Sequence, residues 1–261
     1  MVEDRQARSG PRRPRDLRER ASSAPGRGRP TGPRTGAAEV DRGPAIPQDV
    51  EAKQLAPEVR RELSTLDRAT ADAVARHLVT AGELLDEDPQ QALEHARAAR
   101  ARASRIAGIR EAVGIAAYRC GDWAQALSEL RAARRMGSKS PLLALIADCE
   151  RGMGRPQRAI DLARSPEAAE LDGDDADELR IVAAGARADL GQLEQALTLL
   201  STPHLDPTRT GSMAARLFYA YADTLLALDR PDEALQWFLR SAHADIDGVT
   251  DAEERVEELA E

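Results

Sequence analysis

The chain contains no asparagine and only two lysines, Lys53 and Lys139, so nearly every cation is an arginine. Aromatic residues make up 3% and there are two cysteines. Each scarcity removes a class. A compact α/β enzyme of this length would carry more aromatic and β-branched residues. Cys120 and Cys149 lie in apolar helical contexts without Cys-x-x-Cys spacing, which predicts reduced, buried thiols instead of a disulfide framework. No stretch approaches the roughly 18 apolar residues of a membrane span. The opening "MVEDRQARSGPRRPRDLRER" has no apolar core, so Arg12–Arg13 does not read as a twin-arginine export signal. A cytoplasmic protein is the expectation, and the preference for arginine points to a GC-rich bacterial genome.

What is abundant is Ala, Leu, Arg and Glu, all good helix formers, which predicts an all-α protein. The charge is unevenly spread. Residues 1–47 carry 11 arginines against 6 acids, whereas residues 141–261 carry 25 acids against 11 cations. Residues 89–140 are again basic, with 10 cations against 4 acids. The first 47 residues are rich in Arg, Pro and Gly and have no aromatic residue, a composition that cannot offset the entropy of ordering. They read as a disordered basic tail. Residues 48–66 form a lead-in segment with a short helix starting at Pro57.

From there the chain repeats itself. "GDWAQAL" at 121–127 returns as "GRPQRAI" at 154–160, "GQLEQAL" at 191–197 and "DRPDEAL" at 229–235, with a weaker copy at Glu87/Ala92. The five turns lie 34, 33, 37 and 38 residues apart, the period of a helix–turn–helix solenoid. At 121, 154 and 191 a Gly accepts a left-handed conformation that ends one helix, and Asp229 replaces it in the last unit. Asp122, Pro156 or Pro231 suits the first turn of the next helix. The alanine five residues on lets the two helices pack closely. Pro166 and Pro203 shorten the second helices of the third and fourth units. Ser104 is the candidate cap after the first. After the repeats, 244–261 reads as a capping helix with a Thr250–x–x–Glu253 capping box and a stripe of Val256, Leu259 and Ala260.

These units resemble the tetratricopeptide repeat (TPR) family, whose pattern is W-x₂-L-G-x₂-Y, A-x₃-F and P. The second unit matches at Val113, Gly114, Ala126, Leu130 and Ala133, with Trp123 in the turn, and departs at Arg110 and Ala117. The last matches at Phe218, Ala222, Ala234 and Phe238. The resemblance spans about 67–243, and the chain is similar to TPR proteins of high-GC bacteria. It implies an α-solenoid of about five helical pairs whose first helices line a groove for a peptide or protein. Carried over by position, the groove residues would be His77, Glu111, Ile115, Tyr118, Arg119, Asp148, Arg151, Glu178, Tyr219 and Asp223. A Lys/Asn clamp for a C-terminal carboxylate is missing.

No catalytic constellation stands out. His77, His95, His204 and His243 are scattered without ligand spacing. The acidic run from Glu170 to Glu178 lacks the ligand order of an EF-hand and fits an acidic helix start. There is no dinucleotide fingerprint, P-loop or nucleophile elbow. No enzyme activity, cofactor, metal or small-molecule substrate is expected. The expected function is a non-catalytic interaction scaffold or adaptor. The alternative is an RNA- or ribosome-associated factor in which Arg12, Arg13, Arg15, Arg18, Arg20, Arg27 and Arg29 contact phosphates without sequence preference. The tail reads equally as a solvated linker or as a segment docking on the chain's own acidic half. The second basic stretch, Arg97, Arg100, Arg102, Arg105, Arg131, Arg134 and Arg135, could extend a phosphate surface or form the rim of the stack with its stems on apolar surface.

Overall fold

A computed structural model describes residues 43–203 and 205–260. The arginines assigned to phosphate contacts in the tail, and His204, lie outside the described residues.

The architecture is all-α, and the helices come in pairs. Among the described residues a short helix α1 (Pro57–Glu62) precedes five of them. They are α2 (Arg68–Glu83) with α3 (Pro89–Arg102), α4 (Ala107–Arg119) with α5 (Trp123–Arg135), and α6 (Leu143–Gly152) with α7 (Pro156–Ala163). α8 (Gly173–Ala188) with α9 (Leu193–Leu200) and α10 (Ser212–Ala227) with α11 (Pro231–Ala244) complete the set, and α12 (Ala252–Ala260) follows. α7 and α9 are each only 8 residues long and stop before Pro166 and Pro203, as those prolines predict.

The turn inside each pair has one construction. At Gly121 the amide donates to the Tyr118 carbonyl at 2.9 Å, and the next amide, of Asp122, reaches back to Ala117 at 2.9 Å. This is a Schellman ending, and it recurs at Gly154, Gly191 and Asp229. Asp229 takes the left-handed conformation at φ 59°, the one non-glycine residue among the described residues to do so. Asp122 then accepts from the Gln125 amide as the cap of α5, and Pro156 and Pro231 open α7 and α11. Five residues after each turn position, Ala92, Ala126, Ala159, Ala196 and Ala234 are all 0% exposed.

Four local expectations are corrected. Glu87 does not play the glycine's part, because no residue of the α2–α3 turn is left-handed; there Asp88 caps α3 by accepting from the Gln91 amide. Ser104 caps no helix: α4 starts at Ala107 after Ile106, and the Ser104 carbonyl is held by Arg110. Thr250 forms no capping box, since its amide and hydroxyl both donate to Asp245 at 2.7 Å. The buried contact of α12 is Ala252, with Val256 and Leu259 half-buried, whereas Ala260 is exposed. The lead-in also packs from before residue 48. The Arg76 guanidinium donates to the carbonyls of Val50 at 2.8 Å and Pro47 at 3.2 Å. A Cβ on Gly43 would come within 2.5 Å of the Ala98 side chain.

Three of the four steps between successive pairs join through their first helices. α2 touches α4, α6 touches α8, and α8 touches α10. Each second helix packs on the first helix of the next pair. The first helices thus form one face of the stack.

Two measurements test this construction. Gly191 has φ 72° and open space around a would-be Cβ, so Gly191→Ala isolates the backbone cost, about 1–2 kcal/mol by thermal unfolding. Asp229→Gly relieves the same strain and is expected to be neutral or stabilising by up to about 1 kcal/mol. If both variants shift stability in the same direction, the turn does not work as described. Ala126→Leu should overpack the α4–α5 crossing and cost about 1–3 kcal/mol; an unchanged melting temperature would contradict the crossing.

Candidate functional site

The first-helix face brings together most of the residues expected in the groove, and it does so by tying them to one another. The Tyr118 hydroxyl on α4 donates to Asp148 on α6 at 2.5 Å. Arg151, one turn on, donates to Asp148 at 2.8 Å and to Asp189, beyond the end of α8, at 2.8 Å. Arg216 on α10 grips Glu178 on α8 through two bonds of 2.5 and 2.8 Å. Arg255 on α12 approaches Asp223 on α10 at 3.7 Å. Arg119 pairs with Asp86 in the α2–α3 turn, and Glu111 accepts from Ser138 in the α5–α6 loop at 2.8 Å. Ile115 is half-buried beside these groups. Tyr219 packs edge-on against Phe238. Burial, together with its bond to Asp251, pushes its phenol up to about 12. Burial and the bond to Asp148 raise the Tyr118 phenol likewise.

Close approach makes this ladder possible. A Cβ at Gly185 would lie 2.7 Å from the Arg151 guanidinium carbon, so that side chain lies flat on α8. A Cβ at Gly152 would lie 2.6 Å from the Trp123 indole, which is laid on α6 in the same way. Trp123 also meets Tyr118 edge to face, with ring centroids 5.3 Å apart. Trp123, Asp148, Arg151, Gly152 and Asp189 border a hollow of about 520 Å³.

His77 does not belong to this face. It is 1% exposed between α2 and α3, with its Nδ1 3.0 Å from the Nδ1 of His95, itself 2% exposed. The four histidines are therefore not all scattered: helical packing brings two together that are 18 residues apart in sequence. Position alone placed His77 on the groove, but the apolar face of α2 turns it inward beside Val74 and Leu78. Among the described residues no group of three or more His, Cys, Asp or Glu side chains is placed to hold a metal ion. No helix is long and apolar enough to cross a membrane.

The second basic stretch is largely neutralised within the fold. Arg100 and Arg110 both clasp the buried Glu129, the latter at 2.8 Å. Arg131 reaches the wholly buried Glu150 at 2.6 Å. Arg97 pairs with Gln125 and Asp122, and Arg134 with Glu167. Arg105 and Arg135 are exposed, and the Arg102 guanidinium is bonded to the Ala98 carbonyl. In the acidic run, Asp174 and Asp175 sit in the first turn of α8, while Asp177 is buried against Arg180 and Arg209. The partners Asp86, Asp189, Arg216 and Arg255 went unread. Their signal was opposite charge one repeat apart, as in Arg151/Asp189 and Glu178/Arg216, each separated by 38 residues.

Stacked helical pairs with a laddered first-helix face define a helical-repeat protein. No protein-family model matches the chain, and no curated protein is significantly similar to it.

The histidine pair gives a pH prediction. Desolvation pushes the His77 imidazole down to about 4, helped by the positive Arg102, His95 and Arg76. Desolvation also lowers His95, against the opposing pull of Glu94. Between the ordinary histidine value of 6.5 and about 4, the unfolded chain therefore binds a proton that the folded chain refuses. Stability should fall across this window as pH drops, by about 2–3 kcal/mol from His77. The variant His77→Leu/His95→Leu should lose less in the same window; an identical slope would refute the assignment.

Proposed function

We propose that the chain is a non-catalytic interaction scaffold of the tetratricopeptide type, which presents its first-helix face to a peptide or protein. The observation that supports this most is the ladder from Tyr118 through Asp148 and Arg151 to Asp189, which fixes the spacing of successive first helices around an open hollow. A face held rigid in this way loses little freedom on binding. The arginine at 97–135 gives the RNA reading little extra surface beyond the tail, because much of it is already paired with the protein's own carboxylates.

Affinity capture with the full chain, with and without nuclease and at low and moderate salt, tests the reading. The partner should survive nuclease and be lost with Asp189→Lys/Asp223→Lys, two changes at exposed positions of the face; because Asp189 also accepts from Arg151, Asp189→Asn/Asp223→Lys, which keeps that acceptor, carries the same comparison at an unchanged melting temperature. Capture that disappears with nuclease, or falls steeply with salt, would move the function to the arginine-rich segment.

A further inference from the structure

A second hollow lies apart from the Trp123 site, where the lead-in crosses the start of the stack. It encloses about 540 Å³ between α1, α4 and the α5–α6 loop. Two helical stripes face each other across it. Glu58, Val59 and Glu62 lie along one face of α1, with Leu55 in the extended segment just before it, and Gly108, Glu111, Ala112 and Ile115 follow i, i+3, i+4, i+7 spacing along α4. The absent side chain at Gly108 sets the approach: a Cβ there would lie 3.2 Å from Val59 Cγ1, and the Gly108 amide donates to Glu62 at 2.9 Å. The apolar members remain half-exposed instead of closing over one another, and the buried Leu78 adds to the floor.

The rim is acidic. Glu58, Glu62 and Glu111 stand around the apolar floor, with Lys139 on the far wall and the exposed Arg61 4.0 Å from Glu58. Glu62 and Glu111 each engage the fold through Oε2, which fixes their carboxylates at the edge of the slot. An apolar floor beneath fixed carboxylates has one complementary partner chemistry. An aliphatic side chain would fill the floor, and cationic residues on either side would meet the rim.

We propose that this slot binds a peptide segment carrying one aliphatic residue flanked by arginine or lysine. The assignment rests on the scaffold reading and names the partner chemistry of one end of the stack. It predicts that affinity needs both parts: burial of the aliphatic group for strength and the flanking charges for orientation.

The probe is a fluorescein-labelled peptide, Gly-Lys-Arg-Leu-Arg-Lys-Gly, titrated with the full chain and followed by anisotropy. One control peptide replaces Leu with Ser, and a second replaces every cation with Glu. The parent peptide should bind at least about tenfold more tightly than either control. Glu58→Lys/Glu111→Gln should weaken it about tenfold or more, since the first change reverses a rim charge and the second removes one while keeping an acceptor for Ser138. Ala112→Leu, which fills the floor and leaves the rim intact, should weaken the parent peptide and leave the weak Ser control unchanged. Unchanged melting temperatures mark these as effects on the slot; if Glu58→Lys lowers stability, Glu58→Gln carries the same comparison. Equal binding of the Leu and Ser peptides would overturn the proposal by showing bulk attraction to an acidic protein. So would binding that ignores all three positions. In that case, partner capture still sensitive to Asp189→Lys/Asp223→Lys would leave the scaffold reading standing, whereas loss of that sensitivity would remove the scaffold reading itself.

Discussion

Everything in this stack depends on an alanine at the point where the two helices of a pair cross. Ala92, Ala126, Ala159, Ala196 and Ala234 are wholly buried at equivalent positions. A larger side chain at any of them would wedge the pair open and tilt every unit beyond it, because each second helix is also the seat of the next first helix. In the last four pairs the left-handed residue five positions earlier serves this contact by turning the chain back tightly enough for the alanine to reach its neighbour; the first pair turns without one. Core and turn are thus one device, repeated, and a solenoid's stability is approximately the sum of such units and their interfaces.

Between units the apolar core is continuous: Val113 and Leu130 pack with Ile146, and Ala147 and Ile160 with Val182. The second helices α7 and α9 are short and aromatic residues are scarce. Carboxylates fill part of the interior as well. Glu129, Glu150 and Asp177 are buried, each against at least two arginines. A buried ion pair adds little net stability over an apolar pair but heavily penalises any arrangement that separates the charges. Such pairs fix which face meets which, and the ladder of first helices inherits that precision.

The periodicity was legible in the sequence because the turn requirement acts within seven residues. Gly121, Gly154 and Gly191, with Asp229 as the substitute, announced their own backbone conformation, and all four are left-handed. The first unit was read less well: its turn at Glu87 closes without a left-handed residue, so no local signal marked its geometry. The groove residues were partly legible. The family resemblance places Tyr118, Asp148, Arg151 and Glu178 on one face, but it does not show that they bond across units. The same reasoning misplaced His77, whose burial depends on where α3 lies and is not encoded in α2 alone. The capping box at Thr250 fails for a similar reason, since Asp245 takes the Thr250 amide that Glu253 would accept from and α12 starts only at Ala252.

The charge blocks show most clearly how linear reading and folded chemistry part. Residues 89–140 are basic as a segment, which suggests a surface for phosphate. In the fold, six of those arginines reach carboxylates at Asp122, Glu129, Glu150, Glu167 and Asp86, drawn from three different units. Arginine suits this use. Its planar fork can bridge two acceptors, as Arg151 does between Asp148 and Asp189, and it stays charged when partly buried. Lysine, a point charge on a flexible stem, would hold neither geometry. The near absence of lysine is therefore consistent with a fold whose units are aligned by forked ion pairs. Around the slot the carboxylates of Glu62 and Glu111 accept from neutral groups, the Gly108 amide and the Ser138 hydroxyl, and these bonds leave their charge unneutralised. Their charge remains available to a partner.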